Sequence, residues 1–227
     1  MSFNIAIDGP AGAGKSTIAR RAAEELGFMY VDTGAMYRTI ALYLLRSGTD
    51  MEDEKKLRLA LDHMNISIEY QDAVQQMYLN GENVTGLIRT EEVSCMSSRS
   101  SAKPPVREKL LKLQRDLAAR YNVIMDGRDI GTVILPEAQL KVYLTASVEE
   151  RARRRCRELL EKGENADLSE IEKDIRERDY RDMHRKTAPL KIAEDAVYVD
   201  SSDMTINEVI GRITELARKR MGSADEG

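Results

Sequence analysis

The chain has 227 residues and a formal net charge of -4, because 39 aspartates and glutamates slightly outnumber 35 lysines and arginines. This length is enough for one α/β domain with an insertion, or for two small domains. The nearly balanced charge argues against a general nucleic-acid-binding protein, since such proteins need clustered positive surface. We therefore expect no nucleic-acid partner.

Cysteine usage and hydropathy exclude further classes of protein. Cys95 and Cys156 lie far apart without a C-x-x-C spacing, which indicates neither a metal site nor a disulfide framework. The sequence has no apolar run of about eighteen residues and no charged leader followed by an apolar segment. We therefore expect a cytoplasmic protein without a membrane partner.

The chain begins with a predicted strand, a glycine-rich loop and a helix. Residues 3–7 are apolar apart from Asn4 and predict a buried strand, while apolar residues at helical spacing continue to Leu26 before Gly27. The loop between them matches the phosphate-binding pattern G-x-x-x-x-G-K-[ST], in the strand-loop-helix context that this motif requires. The residues of the loop are Gly9, Pro10, Ala11, Gly12, Ala13, Gly14, Lys15, Ser16 and Thr17.

The chemistry of this loop predicts a binding site for a nucleoside triphosphate. Glycines allow backbone N–H groups to point at phosphate oxygens, and the first helical turn adds its own unpaired N–H groups. Lys15 can reach the β- and γ-phosphates, and the hydroxyl of Ser16 can ligate Mg²⁺. The alternative is a glycine-rich turn with an unrelated lysine, and the flanking strand and helix argue against it.

A second strand and helix follow. Residues 28–31 predict the strand, in which Tyr30 is interpreted as a core residue, and residues 36–45 predict a helix that ends at Gly48. Arg38 is expected in the first turn of this helix, where it could face the cleft. For the polar residues that precede the helix, an ordinary N-cap is an equally good interpretation.

The pattern then changes to antiparallel strands. Residues 66–70 alternate in hydropathy, and the Asn80-Gly81 turn pair predicts a small hairpin or meander. Residues 91–100 predict a short helix, and a longer helix with an apolar stripe follows Pro104 and Pro105.

Alternating strands and helices resume after the insertion. Apolar runs at residues 123–125, 140–145 and 196–199 bring the number of predicted buried strands to five. This order indicates an α/β protein with a doubly wound parallel sheet and a ligand site at the carboxyl ends of its strands. Capping pairs predict three helix starts, at Ser147 with Glu150, Asp167 with Glu170, and Thr205 with Glu208.

Three charged residues, Asp126, Arg128 and Asp129, directly follow a buried strand. A carboxylate in this position normally organises Mg²⁺ in phosphate-loop proteins, so Asp126 and Ser16 are the predicted metal ligands. Arg128 and Asp129 are expected to enter the cleft. A salt-bridged turn is the alternative interpretation.

Two arginine-rich segments lie between the last two predicted strands. Ion pairs three or four residues apart on solvated helix faces explain part of this arginine content. The remainder suits phosphoryl transfer, which needs positively charged side chains beside the oxygens of the transferred group and a mobile lid that excludes water. The predicted lid arginines are Arg151, Arg154, Arg155 and Arg157.

These segments together resemble the bacterial cytidylate kinases, within the nucleoside monophosphate kinases. The resemblance spans nearly the whole chain and rests on residues 8–17, 32–38, 86–93, 126–132 and 178–190. It implies that the γ-phosphoryl group of ATP is transferred to CMP or dCMP with Mg²⁺. It also implies a phosphate-loop fold with five parallel strands, an inserted NMP-binding domain and a helical lid. We further expect a monomer whose partners are ATP and CMP or dCMP.

The resemblance implies roles for individual residues as well. Lys15, Arg128 and Arg185 are the expected catalytic residues. Thr33 stands where the family often has serine, which preserves the hydroxyl. The expected contacts are Ser98, Arg107 and Asp129 to the base, Arg178 and Asp182 to the sugar, and Arg38, Arg128 and Arg185 to the acceptor phosphate.

The predicted domain organisation follows from this comparison. Residues 1–62 and 101–220 form the core, residues 63–100 the inserted CMP-binding domain, residues 148–166 the lid and residues 221–227 a disordered tail. One rival function is a kinase for another small acceptor, such as UMP, shikimate or gluconate. The other is a GTP-hydrolysing switch, although the sequence lacks the guanine-reading pattern [NT]-K-x-D.

Overall fold

The computed structural model of the protein describes residues 2–72, 74–161 and 163–222. Its strands are β1 (Asn4–Asp8), β2 (Met29–Asp32), β3 (Ile66–Gln71), β4 (Val74–Leu79), β5 (Glu82–Asn83), β6 (Val123–Gly127), β7 (Leu140–Thr145) and β8 (Val197–Asp200). Its α-helices are α1 (Lys15–Leu26), α2 (Thr33–Ser47), α3 (Glu54–Asp62), α4 (Glu91–Ser100), α5 (Pro104–Arg120), α6 (Val148–Glu161), α7 (Leu168–His184) and α8 (Ile206–Gly222).

The described residues divide into two compact units. The first unit contains the residues up to Tyr30 and those from Tyr121 onward, and the second is Val31–Arg120. The predicted insertion, residues 63–100, therefore lies within a larger unit. Residues 31–62 and 101–120 belong to that unit and not to the first, because α2 packs against α4, α5 and β4, and α3 packs against α5.

The large sheet has five strands in the order β2-β6-β1-β7-β8, of which β1, β6, β7 and β8 lie wholly in the first unit. The central strand β1 pairs in parallel with β6 and β7, and β7 pairs in parallel with β8. Ile5 and Ile7 of β1 are fully buried in a core that includes Ile18 of α1 and Ile213 of α8. The predicted doubly wound α/β fold is confirmed. Its register sets Asp8 opposite Gly127, so the ends of β1 and β6 lie side by side.

The second unit contains a three-stranded antiparallel sheet with strand order β3-β4-β5. Asn80 and Gly81 form the turn between β4 and β5 with φ values of 51° and 85°. Asparagine and glycine accept such left-handed conformations, which suit the twist of a hairpin. The hairpin that the turn pair predicts is therefore confirmed.

The three predicted helix starts are also confirmed. The Ser147 hydroxyl accepts a hydrogen bond from the Glu150 N–H at 3.2 Å, at the start of α6. Asp167 caps α7 by accepting from two backbone N–H groups. At the start of α8 the capping is reciprocal. The Glu208 carboxylate accepts from the Thr205 N–H at 2.7 Å, and the Thr205 hydroxyl accepts from the Glu208 N–H at 3.3 Å.

Several local features differ from the sequence-based expectations. Helix α3 was not predicted, although Asp53 caps it and Leu57 and Leu61 are buried at helical spacing. A short π-helical turn, Ile130–Ile134, was not predicted either. Arg38 lies in the second turn of α2 and not in the first, because the N-cap is Asp32.

The C-terminal prediction is corrected in part. Helix α8 runs to Gly222. Met221 and Gly222, which were predicted to lie in the disordered tail, are therefore helical. Residues 223–227 of that tail lie outside the described residues. Within the described ranges, no helix has both the length and the apolar character to cross a membrane.

Candidate active site

The phosphate loop connects β1 to α1 in the first unit. Gly9 has a φ of 153°, and a Cβ at this position would lie 1.9 Å from the carbonyl oxygen of Leu144. Gly14 is the N-cap of α1 and has a left-handed φ of 79°. Only glycine tolerates the close approach at the first position, and glycine is strongly favoured at the second. The motif glycines therefore have the conformational roles that the pattern implies.

Lys15 is buried at the start of α1, where its Nζ donates a hydrogen bond to the carbonyl oxygen of Pro10 at 2.6 Å. Burial lowers the pKa of Lys15 well below its usual value, and the nearby Arg128 guanidinium lowers it further. Asp126, Asp182 and Asp8 oppose this effect. An anionic ligand at the loop would favour the charged ammonium in the same way.

Ser16 and Asp126, the two predicted metal ligands, lie side by side. The Ser16 hydroxyl donates to Asp126 Oδ2 at 2.8 Å, and the Tyr30 hydroxyl donates to Asp126 Oδ1 at 2.9 Å. Mg²⁺ takes hard oxygen ligands and usually keeps one or two carboxylates together with phosphate and water oxygens. This donor set fits that ion. The interpretation of Tyr30 as a core residue was incomplete, since its hydroxyl orients the carboxylate.

Asp8 is a second buried carboxylate at this edge of the sheet, and no role was predicted for it. Its two oxygens accept hydrogen bonds from the N–H groups of Ile130 and Gly131, at 2.8 and 2.7 Å. Burial raises the pKa of Asp8 to about 6, although these two hydrogen bonds lower it in part. Asp8 thus connects the strand before the phosphate loop to the π-helical turn that follows Arg128 and Asp129.

Two arginine-carboxylate pairs link the end of β6 to the C-terminal part of α7. Arg128 Nε donates to Asp182 Oδ2 at 2.8 Å, and Arg185 Nη2 donates to Asp129 Oδ1 at 3.2 Å. Burial opposes ionisation of Asp182, but the Arg128 guanidinium holds the pKa of this carboxyl below its usual value. Arg178, which is half-buried, and Arg185 lower the pKa of Asp182 as well, so the structure brings the four paired site residues into one cluster with Arg178.

The Arg185 side chain is held from a second direction. Its Nε donates to the carbonyl oxygen of Ala188 at 2.7 Å. Ala188 has a φ of 48°, a left-handed conformation that is unfavourable for alanine. A strained residue at this position turns its carbonyl group toward the guanidinium, which leaves the arginine only 8% exposed.

The predicted lid arginines differ from one another in their surroundings. Arg151 is buried, and its guanidinium donates to the carbonyl oxygens of Ala11 and Ala146 at 2.9 Å and pairs with Asp179 at 2.7 Å. It therefore contacts the phosphate loop itself. Arg154 donates to the Ser201 carbonyl oxygen at 2.7 Å.

The remaining two predicted lid arginines are exposed. Arg155 pairs with Glu158 on its own helix at 3.3 Å, and Arg157 lies on the surface of α6. The four side chains therefore do not form one group. Arg151 is the member whose described contacts reach the phosphate loop.

In the second unit, Asp32 organises the start of α2. Its carboxylate accepts from the Ala35 N–H at 2.7 Å and pairs with Arg38 at 3.2 Å and Arg89 at 3.4 Å. The Nε of Arg38 is buried and finds no hydrogen-bond partner among the residues that the structure describes. Thr33, the first residue of α2, is almost fully buried. The N-cap interpretation of this segment is therefore confirmed, and the cleft-facing role of Arg38 stays a prediction.

The predicted base-contacting residues of the second unit lie on α4 and α5. The Arg107 guanidinium stacks over the Tyr37 ring, 5.5 Å from its centroid, and donates to the Ser101 carbonyl oxygen at 3.2 Å. The Ser101 hydroxyl in turn donates to the carbonyl oxygen of Ser98 at 3.2 Å. Arg107 is buried and its planar group is held in one orientation, as recognition of a base edge requires.

Comparisons with known proteins agree with this geometry. The cytidylate kinase family model matches residues 5–219 of the chain. A cytidylate kinase of Lactobacillus johnsonii is 48% identical over 218 residues, which cover 96% of this chain and 95% of that protein. One from Caldicellulosiruptor saccharolyticus is 50% identical over 221 residues, which cover 97% and 98%.

A solved structure supports the fold independently. An uncharacterized protein from Eubacterium ventriosum aligns with a TM-score of 0.52 at 10% identity, over 96% of this chain and 99% of that one. A likeness at this identity concerns the fold alone. The family match and the two relatives extend over nearly the whole chain, and the chain therefore belongs to the cytidylate kinase family.

Proposed function

We propose that this protein transfers the γ-phosphoryl group of ATP to CMP or dCMP, giving ADP and CDP or dCDP. The observation that carries the proposal is the buried Lys15 of a phosphate loop beside the Ser16-Asp126 pair and a cluster of two arginine-carboxylate pairs. Phosphoryl transfer depends mainly on positioning and electrostatic stabilisation, and these groups supply both. No dedicated base is needed.

The donor is bound by the phosphate loop. Backbone N–H groups and Lys15 hold the phosphates of ATP, and Arg151 reinforces the loop through the Ala11 carbonyl group. Ser16 and Asp126 would hold Mg²⁺. When bound, this ion neutralises charge on the phosphate oxygens.

Arginines are the proposed ligands of the acceptor phosphate. Arg128, Arg185 and Arg38 each present a guanidinium that is already held by a carboxylate. A phosphate dianion would compete with these carboxylates for the N–H groups, since guanidinium binds both anions with paired hydrogen bonds. Arg178 and Asp182 are the proposed sugar contacts.

The base is read by hydrogen bonds to its polar edge. Cytosine presents an amino donor beside an N3 acceptor, so a carboxylate such as Asp129 and a guanidinium such as Arg107 match it, with Ser98 as a further contact. Uracil reverses both groups, since it has a carbonyl acceptor in place of the amino donor and an N3–H donor in place of the N3 acceptor. A buried polar site left unpaired rejects the wrong ligand strongly, which predicts discrimination against UMP.

A panel of acceptors tests the proposed function. With ATP and Mg²⁺, we expect kcat/KM for CMP and dCMP to exceed that for UMP and AMP by about two orders of magnitude or more. Lys15→Ala should lower turnover of CMP by at least about a hundredfold, whereas Lys112→Ala, at an exposed lysine of α5, should not. The measurement is product formation by chromatography, with circular dichroism to establish that each variant is folded.

Other outcomes would identify the rival functions. Faster turnover of UMP, shikimate or gluconate would reject the assignment of cytosine as the base, and slow hydrolysis with a preference for guanine would indicate a nucleotide switch. Membership of the cytidylate kinase family favours neither of these rival functions. The lid at residues 148–166, the monomeric state and the cytoplasmic location stay predictions.

A further inference from the structure

A buried amide lies on the core-facing side of the antiparallel sheet. Along β4 the buried positions alternate, and Gln75 shares its face with Met77 and Leu79. Gln75 is only 9% exposed. A buried amide is unfavourable unless its donor and acceptor groups are hydrogen-bonded, so its partners should reveal why this position is polar.

The partner of Gln75 is the backbone of Asp32, 43 residues earlier in the chain. Gln75 Oε1 accepts from the Asp32 N–H at 2.8 Å, and Nε2 donates to the Asp32 carbonyl oxygen at 3.2 Å. Nε2 also contacts the sulfur of Met77 at 3.0 Å. Because both backbone groups of one residue are engaged, the amide determines both the position and the orientation of Asp32.

Asp32 in turn orients cationic groups. It is the last residue of β2 and the N-cap of α2, and its carboxylate pairs with Arg38 at 3.2 Å and Arg89 at 3.4 Å. A shift or rotation of the Asp32 backbone would move this carboxylate and the Arg38 guanidinium with it. Gln75 touches neither guanidinium in the described contacts, so its influence passes through Asp32.

We propose that Gln75 is a positioning residue for acceptor binding: its amide holds the Asp32 backbone and thereby orients Arg38. This inference rests on the proposed function, in which Arg38 binds the phosphate of CMP. It makes a polar side chain on the antiparallel sheet a determinant of acceptor affinity without contact to the acceptor.

Gln75→Met tests the proposal, because methionine has a similar length and cannot form either hydrogen bond. We expect KM for CMP to rise about tenfold, which corresponds to the loss of one or two hydrogen bonds, while KM for ATP stays within twofold. Leu79→Met is the matched control, since it changes another buried residue of the same face whose side chain has no described hydrogen bond to the amide. Equal effects of the two substitutions on KM for CMP, or no effect of Gln75→Met, would overturn the proposal.

A double-mutant cycle tests whether Gln75 acts through Arg38. In an Arg38→Ala background, we expect Gln75→Met to leave KM for CMP unchanged, because the residue it positions is already absent. A further tenfold rise in that background would contradict the mechanism. If Gln75→Met does not fold, Gln75→Asn takes its place in both experiments, since its amide is one methylene too short to reach Asp32.

Amide hydrogen exchange separates this inference from the proposed function. The N–H of Asp32 is bonded by Gln75 and that of Ala35 by the Asp32 carboxylate, so both should exchange at least tenfold faster in Gln75→Met. This measurement needs no substrate. Failure of wild-type protein to phosphorylate CMP would reject the function alone, whereas unchanged exchange at both amides would reject the role of Gln75.

Discussion

Charged side chains at the carboxyl edge of the sheet are buried, and each is compensated by specific partners. Lys15 donates to a loop carbonyl group, Asp126 accepts from two hydroxyls, and Asp8 accepts from two backbone N–H groups. An isolated buried charge is unfavourable by several kcal/mol, so such a group is retained where it is paired or serves function. The arrangement holds the ionisable groups in place before any nucleotide binds.

The pH dependence of stability offers a test of the buried Asp8. Its pKa is about 6 in the folded protein, above the usual 3.8, because burial disfavours the charged carboxylate. The resulting stabilisation is fully present below about pH 3.8, and it is lost as pH rises through about 6. Asp8→Asn stays neutral throughout. We therefore expect the unfolding free energy of wild type, relative to Asp8→Asn, to fall by about 2 kcal/mol between pH 4 and pH 7.

Denaturant titrations at several pH values measure this difference directly. Glu164→Gln, at an exposed carboxylate, supplies the baseline for the loss of one acidic group. If the difference between wild type and Asp8→Asn does not change with pH, the raised pKa of Asp8 is wrong.

At the scale of elements, helix α7 carries much of the first unit's site. Its residues Asp179 and Asp182 pair with Arg151 and Arg128, and Arg185 follows its last turn. The N-terminal end of the helix lies four turns away and is stabilised by Asp167, whose carboxylate accepts from the N–H groups of two residues in the first turn. The N-terminal end of α7 therefore controls the stability of the helix, and its C-terminal end controls the geometry of the site.

Asp167→Ala separates these two contributions. Loss of an N-cap typically lowers stability by about 1 kcal/mol, and we expect that decrease in the unfolding free energy, with kcat for CMP unchanged within twofold. Glu164→Ala removes the same charge at an exposed residue before the cap and should change stability by less than about 0.5 kcal/mol. Equal stability losses in the two variants would argue against the capping role.

At the scale of the whole molecule, the residues that stabilise the first unit are largely separate from those of its site. Its core consists of apolar side chains from β1, β6, β7, β8, α1 and α8. The site residues follow the ends of β1 and β6 and lie on α6 and α7. A parallel sheet buried by helices thus provides a rigid base, while polar groups gather where the strands end.

Two isoleucines of α8 test this separation. Ile213 is fully buried in the core, whereas Ile206 on the same helix is 50% exposed. Ile213→Ala should lower the unfolding free energy by about 2–5 kcal/mol, and Ile206→Ala by less than about 1 kcal/mol. Denaturant titration gives both values. For the folded fraction we expect kcat to change less than twofold in either variant, and a large loss of kcat in Ile213→Ala would show that core and site are coupled.

The sequence by itself determined the elements whose causes are local. The phosphate loop, the Asn80-Gly81 turn and the cap at Asp167 each arise from residues within a few positions of one another, so a single chain shows them directly. Short apolar runs likewise predicted the five strands of the large sheet. The predicted roles of Lys15 and Ser16 follow from the same local pattern.

Only the tertiary structure decided three hydrogen-bonded pairs of residues that are distant along the chain. Asp8 and Gly131 are separated by 123 positions, Arg128 and Asp182 by 54, and Gln75 and Asp32 by 43, yet each pair is hydrogen-bonded. Such pairing depends on strand order and helix packing. These are set by the burial of apolar surface over the whole chain. The spacing of neighbouring residues does not indicate which distant donor will hydrogen-bond to a given acceptor.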